Sequence, residues 1–222
     1  MAYILNIETA TKNCSVSVAK NGITLCCNEM SEEGYSHAER LHVFIEATLA
    51  SLQLSLKDIA AIAVSQGPGS YTGLRIGLSA AKGLCFALDI PLIAVDTLAV
   101  LAAKITIPEG LIIPMIDARR MEVYSAVFNA THQKVREVKA EIISENSFIG
   151  YDEAIYFIGD CSAKCKGVLT KPNFIFRDDL IYPSANEMGF LSNEQYEKNN
   201  FVNVAYFEPC YLKDFVMTAS KN

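Results

Sequence analysis

Apolar residues fall in short alternating or continuous runs over the first third of the chain, and the runs predict strands before any helix. Tyr3 to Glu8 reads as a first strand, and Ser15 to Ala19 and Ile23 to Asn28 read as two more, joined through Lys20-Asn21-Gly22, whose Asn-Gly step suits a tight turn. Ser36-His37-Ala38-Glu39 has the form of a capping box, after which Leu41, Phe44, Ile45, Thr48, Leu49 and Leu52 share one side at helical spacing. Ser55 to Asp58 caps a short helical turn. A strand from Ile59 to Ser65, a long helix ending at Leu88 and a strand from Leu92 to Val95 complete this part.

After Pro108-Glu109-Gly110 the order restarts. Leu111 to Ile116, Glu122 to Phe128 and Lys134 to Lys139 predict three strands, Ser144 to Ile149 a helix, Ala154 to Ile158 a strand and Ala185 to Lys198 a helix. Residues 160–182 and 213–222 read as loop and tail. Two successive three-strand units with helices, residues 1–107 and 108–222, imply an α/β fold made of duplicated lobes. Such lobes, each a ribonuclease H-like mixed sheet with helices, build the actin-like, hexokinase-like and Hsp70-like ATPases.

The segment Gly67-Pro68-Gly69-Ser70-Tyr71-Thr72-Gly73-Leu74-Arg75-Ile76-Gly77 joins the Ile59–Ser65 strand to the long helix. Pro-Gly sets a turn, Ser70 or Thr72 can cap the helix, and several N–H groups point where an anion or a partner could sit. The glycine spacing fits neither the dinucleotide fingerprint nor the phosphate loop, and no nucleophile elbow surrounds Ser70. A turn that needs small residues for geometry alone remains open. Downstream, Gly73, Gly77 and Ala81 recur every fourth residue with Ala80 and Gly83 nearby, so another backbone must approach this helix, from within the domain or from a second subunit.

With 222 residues, 51% of them hydrophobic, the chain buries a full core in one large domain or two lobes of about 100 residues. A formal charge of −6 argues against a surface that grips RNA or DNA by its phosphates. No basic leader segment and no apolar run of about 18 residues is visible, so the expectation is a soluble, cytoplasmic protein. Seven cysteines without a Cys-x-x-Cys pair read as reduced thiols, and three histidines make a poor metal set. The strand-end segments Asn6-Ile7-Glu8-Thr9-Ala10-Thr11 and Ile116-Asp117-Ala118-Arg119-Arg120 lack the glycines that would let a backbone approach a triphosphate, which predicts weak or absent ATP hydrolysis by the chain alone.

Over nearly its full length the chain resembles the TsaB (YeaZ) family. The resemblance rests on Gly67 to Gly77 with Ala81-Lys82-Gly83-Leu84, on Asp117-Ala118-Arg119-Arg120-Met121-Glu122-Val123-Tyr124, and on Glu208-Pro209-Cys210-Tyr211-Leu212-Lys213. It implies a non-catalytic subunit of the bacterial machinery that makes threonylcarbamoyladenosine in tRNA. The implied partners are the catalytic subunit TsaD, which this subunit binds and keeps active, and the ATPase TsaE, with tRNA met only through the complex, no membrane, and a homodimer when alone. The catalytic relative carries Val-Asn-His-Leu-x-Gly-His, with two metal-binding histidines, where this chain has Val95-Asp96-Thr97-Leu98-Ala99-Val100-Leu101. Neither Thr97 nor Leu101 suits a transition metal, so the resemblance implies no metal site and no catalytic residue.

By the same resemblance the helix after Ser36 and the helix from Thr72 to Leu88 are the candidate heterodimer face, with Ser36, His37, Leu41, Phe44, Gly73, Gly77, Ala80 and Ala81 its candidate residues. Leu41 and Phe44 read equally as anchors or core, and His37 as a cap residue or a base. No cofactor is required by the isolated chain. ATP or ADP is an option at the subunit junction, through Gly67, Gly69, Ser70, Thr72, Gly73 and Arg75, although Arg75 also reads as a surface cation or an ion-pair partner. The enzymatic alternative is a small-molecule kinase or a peptidase of the same superfamily.

Overall fold

The computed structural model describes residues 2–31 and 37–212. The two halves repeat one plan. In the first, β1 (Tyr3–Glu8), β2 (Asn13–Lys20) and β3 (Ile23–Ser31) form an antiparallel meander; α1 (His37–Ser51), a 3-10 turn (Leu56–Asp58), β4 (Ile59–Ser65), α2 (Tyr71–Leu88) and β5 (Leu92–Val95) follow. The sheet order is β3-β2-β1-β4-β5, with β4 and β5 parallel to β1. After the short helix α3 (Thr97–Ala102), the second half repeats the meander with β6 (Leu111–Asp117), β7 (Glu122–Asn129) and β8 (Lys134–Ile142), then adds β9 (Ile155–Ile158), α4 (Ser162–Cys165), β10 (Phe174–Phe176) and α5 (Ala185–Glu197). Its sheet, β10-β9-β6-β7-β8, has the same order and the same senses. The duplicated α/β fold expected from the element pattern is the one observed, and it is that of the actin-like ATPases.

Each central strand is covered on both faces, which is why β1 is buried from Ile4 to Glu8. On one face of the first sheet α1 and α2 pack Leu41, Ile45, Leu49, Leu78, Ala81 and Cys85 against Leu5, Ile7, Val16, Ile62 and Val64. The other face is closed by α5, whose Ala185 and Met188 meet Ile4, Ala61, Ala63 and Ile93. The helices therefore exchange partners. Helix α3, continuous with the first half, lies on β6 and β7, while α5, at the end of the second, lies on β1, β2, β3 and β5. Ser15 and Ser17 fasten the exchange: Ser15 Oγ accepts from Ala185 N at 2.8 Å, and Ser17 Oγ donates to Ala185 O at 2.6 Å. A division near residue 107 separates the sheets but not the helices that cover them.

Three local readings change. Ser144 to Ile149 forms turns rather than a helix, because Phe148 takes a positive φ of 62° and puts its ring into the second core, edge-on to Phe157. Residues 160–182, read as loop, contain α4 and β10. Strand β8 continues to Ile142, three residues past the predicted end. The capping box at Ser36 and the tail from Lys213 lie outside the described residues. No described helix is long and apolar enough to cross a membrane.

Candidate functional site

The glycine loop is clamped onto the turn that follows β1. Ser70 N donates to Ala10 O at 2.6 Å, and Thr9 Oγ1 donates to Gly73 O at 2.8 Å. A Cβ on Gly69 would collide with Ala10, and one on Gly73 or Gly77 would collide with Thr9. Gly67 has a φ of 106° and lies beneath the carbonyl of Cys210, so it too is fixed by close approach. The small-residue side of α2 that carries Gly73, Gly77 and Ala81 thus faces β1 and its turn. Of the two sources left open for the neighbouring backbone, the one within the domain accounts for Gly73, Gly77 and Ala81, all three of which are buried inside the lobe.

Further amides of the loop are paired within the chain. Gly67 N donates to Thr97 Oγ1 at 3.1 Å, and Gly73 N to Ser70 Oγ at 3.2 Å, with Ser70 serving as the N-cap. Arg75 lies over the Tyr71 ring, 4.1 Å from its centroid, and donates through Nε to Tyr211 Oη at 3.1 Å. Of the residues expected to meet an anion, Gly67, Gly69, Ser70 and Gly73 build the loop and its close approach to its neighbours. Thr72 and Arg75 stay exposed.

The two strand-end carboxylates are engaged as well. Glu8 is fully buried, and its Oε1 accepts from Ala10 N at 2.6 Å. Burial pushes its carboxyl up to about 7, against the smaller opposing effects of the Ala10 amide, the nearby Ser65 hydroxyl and the charge of Lys104. Glu8 Oε2 and Ser65 Oγ have no well-aligned partner among the described residues. In the second lobe, Lys164 of α4 forms an ion pair with Asp117 and donates to the carbonyls of Arg120 and Glu122, both at 2.8 Å. Asp160 accepts from Asp117 N at 2.8 Å, and its carboxyl is raised chiefly by burial.

Outward, α1 and α2 form a surface with a groove of about 790 Å³ between them. Ala38 and His42 line it from α1, and Ile76, Ala80, Gly83 and Leu84 from α2, with Tyr71 and Arg75 at one end. Phe86 (87% exposed) and Val43 (57%) project from the same two helices. Leu41 is completely buried, which removes it as an anchor; Phe44 is half-buried against the first core. His37, 2% exposed, donates from Nε2 to Thr11 O at 2.7 Å and so ties α1 to the β1–β2 turn.

A family profile described as "TsaD: tRNA N6-adenosine threonylcarbamoyltransferase" matches residues 32–217. The "tRNA threonylcarbamoyladenosine biosynthesis protein TsaB" of Escherichia coli strain K12 is 30% identical, over 96% of this chain and 95% of that protein. This chain belongs to the TsaB family. The Bacillus subtilis strain 168 protein of the same description is 29% identical over 86% of this chain and 87% of its own length. A solved structure, YeaZ from Pseudomonas aeruginosa, superposes with a TM-score of 0.84 over 96% of this chain and 100% of that one, at 24% identity, which bears on the fold alone.

Two features of this TsaB-family chain escaped the sequence reading. Helix α3 is apolar on every side, so it shows no amphipathic period; its first residue, Thr97, both accepts from Gly67 N and donates its own N–H to Gly67 O at 3.1 Å, while Leu101 is buried against the second sheet. The second is a C-terminal strap. Val202 pairs with Leu92, Phe207 packs on the first core, and Cys210 N donates to Gln66 O at 2.7 Å. The Glu208-to-Leu212 signature thereby locks the glycine loop from outside. Its signal was present in the sequence, but nothing local told what it would touch.

Proposed function

We propose that this chain is the non-catalytic subunit of the assembly that makes threonylcarbamoyladenosine in tRNA, and that it holds a TsaD-type transferase in its active state. A role in tRNA threonylcarbamoyladenosine biosynthesis goes with the family. The observation that carries the finer reading is that the chain's own groups occupy the place of chemistry. Thr9 and Ala10 fill the glycine loop, Lys164 sits on Asp117, and Glu8 is sealed beneath Ala10. At the position of the relatives' histidines, the Thr97 hydroxyl is taken by Gly67 and Leu101 lies in the core.

What the chain offers outward is the α1–α2 surface. Exposed apolar Phe86 and Val43 lie on the same two helices that line the groove, a composition that suits a protein partner. In this reading Ala80, His42 and Phe86 contact the transferase, and the same surface serves a second copy when the transferase is absent. His37, Gly73 and Gly77 act from beneath by shaping that surface. Any ATP or ADP used by the assembly is held at the subunit junction, near Thr72 and Arg75, and TsaE and tRNA are met through the complex. Reconstituting tRNA modification from purified components tests this. Product formation should require this chain together with the transferase, and the chain alone should neither modify tRNA nor bind ATP in a titration. Turnover by the isolated chain would overturn the reading.

A further inference from the structure

The turn after β6 is the second lobe's counterpart of the turn after β1, yet the two are finished differently. Thr9, Ala10 and Thr11 lie buried under the glycine loop and α1, whereas Arg119 and Arg120 are exposed. Their backbone is firmly held: Arg119 N donates to Asp117 Oδ1 at 2.9 Å, Ala118 N to Glu122 O at 3.1 Å, and Lys164 to the carbonyls of Arg120 and Glu122. Both arginines take a positive φ, 73° and 53°, where glycine or asparagine would cost less. Nothing in the fold requires arginine there. Arg75, Arg136 and Arg177 rest on Tyr211, Glu141 and Asp179, and Arg40 is partnered as well, but among the described residues no hydrogen bond, ion pair or ring contact engages the guanidinium of Arg119 or Arg120. We propose that Arg119 and Arg120 contact backbone phosphates of the tRNA once this chain has joined the transferase.

The contact rests on the partner reading above, and its chemistry favours RNA. A guanidinium makes paired, charge-assisted hydrogen bonds to phosphate oxygens. Two adjacent cations on a fixed turn repel each other and suit a ligand with successive anions, which an RNA strand carries at every nucleotide; a single carboxylate of a protein would satisfy one of the two. Two phosphate contacts are too few to hold RNA on a chain of formal charge −6, so the contact forms only where the transferase supplies the rest of the grip. Phosphate contacts fix register without reading sequence. Arg119 and Arg120 are therefore positioning residues, which set where the tRNA lies on the assembly.

The test is the affinity of the assembled complex for unmodified tRNA, measured by filter binding over a series of salt concentrations. Arg119→Gln combined with Arg120→Gln should weaken binding about thirtyfold at about 0.1 M salt and make the plot of log affinity against log salt shallower by about 1.5, with transferase affinity unchanged. Arg119→Lys with Arg120→Lys keeps both charges and should restore the slope. Arg119→Asn with Arg120→Asn eases the left-handed backbone, so this chain should melt at a higher temperature while its assembly binds tRNA more weakly; a purely structural role would move both in the same direction. A glutamine variant that assembles normally and keeps the full affinity and slope would overturn the proposal and leave the partner reading standing. A glutamine variant that fails to join the transferase would also overturn it, because the guanidiniums would then meet protein carboxylates. If the unaltered chain forms no complex with the transferase, the partner reading falls and this proposal falls with it.

Discussion

Lys164 and Asp117 form an ion pair at the end of β6, and the same ammonium reaches the carbonyls of Arg120 and Glu122. A side chain of the lobe itself thus supplies the cation at the second strand-end carboxylate. The turn it holds is not relaxed: Arg119 and Arg120 take φ values of 73° and 53°. Replacing Lys164 by Met should lower stability by about 1 kcal/mol, since Asp117 is half exposed and solvent screens the pair. Denaturant midpoints measure the loss. Faster amide exchange confined to residues 118–122 would show that the turn was held by this lysine.

Glu8 makes stability depend on pH in an uncommon direction. Its carboxyl titrates near 7 when folded and at its ordinary 4.5 when unfolded, so between those values the folded chain binds the extra proton. The contribution therefore falls as pH rises through this window, by about 3 kcal/mol in all, and stays lost above it. Glu8→Gln, which keeps the acceptor for Ala10 N, should flatten the slope from pH 4.5 to 7 and raise the melting temperature at pH 8. An unchanged profile would mean that burial of this carboxyl costs little.

Two glycines of one helix should respond oppositely. At Gly73 an added methyl meets the Thr9 carbonyl, so Gly73→Ala should cost about 3 kcal/mol and loosen the turn after β1. At Gly83 nothing lies within 4 Å, and Gly83→Ala should add about 1 kcal/mol. Thermal unfolding of the two variants checks both signs at once.

Phe86 is 87% exposed, so Phe86→Asp should leave the melting temperature within a degree or two. In the proposed assembly it should weaken transferase binding by at least about tenfold, the scale of a lost aromatic anchor. Binding measured by calorimetry, beside a melting curve of the same sample, separates an interface effect from unfolding.

Local signals were legible where one residue type answers one local demand. Asn21 and Gly22 take φ values of 51° and 79° in the β2–β3 turn, as an Asn-Gly step predicts, and the repeat of strand patterns yielded both sheets. The glycines of α2 announced a close approach, but a glycine reads alike whether the neighbour is Thr9 of the same chain or a helix of another. Leu41 and Phe44 shared one helical side, and spacing alone could not tell which would be fully covered. Phe148 defeated a helix prediction because a core contact with Phe157, remote in sequence, outweighed local preference. The sealing of Glu8 and the pairing of Lys164 with Asp117 depend on contacts between elements, which no single segment reveals.

The crossing of α3 and α5 has a bearing on synthesis. Everything that makes the first sheet is translated by Val95, yet the back of that sheet waits for Ala185 and Met188, which leave the ribosome nearly half the chain later. Until then a sticky surface of Ile4, Ala61, Ala63 and Ile93 is bare in the nascent polypeptide. A truncated message would yield no usable half-molecule, and the interval is when chaperones have most reason to hold this protein.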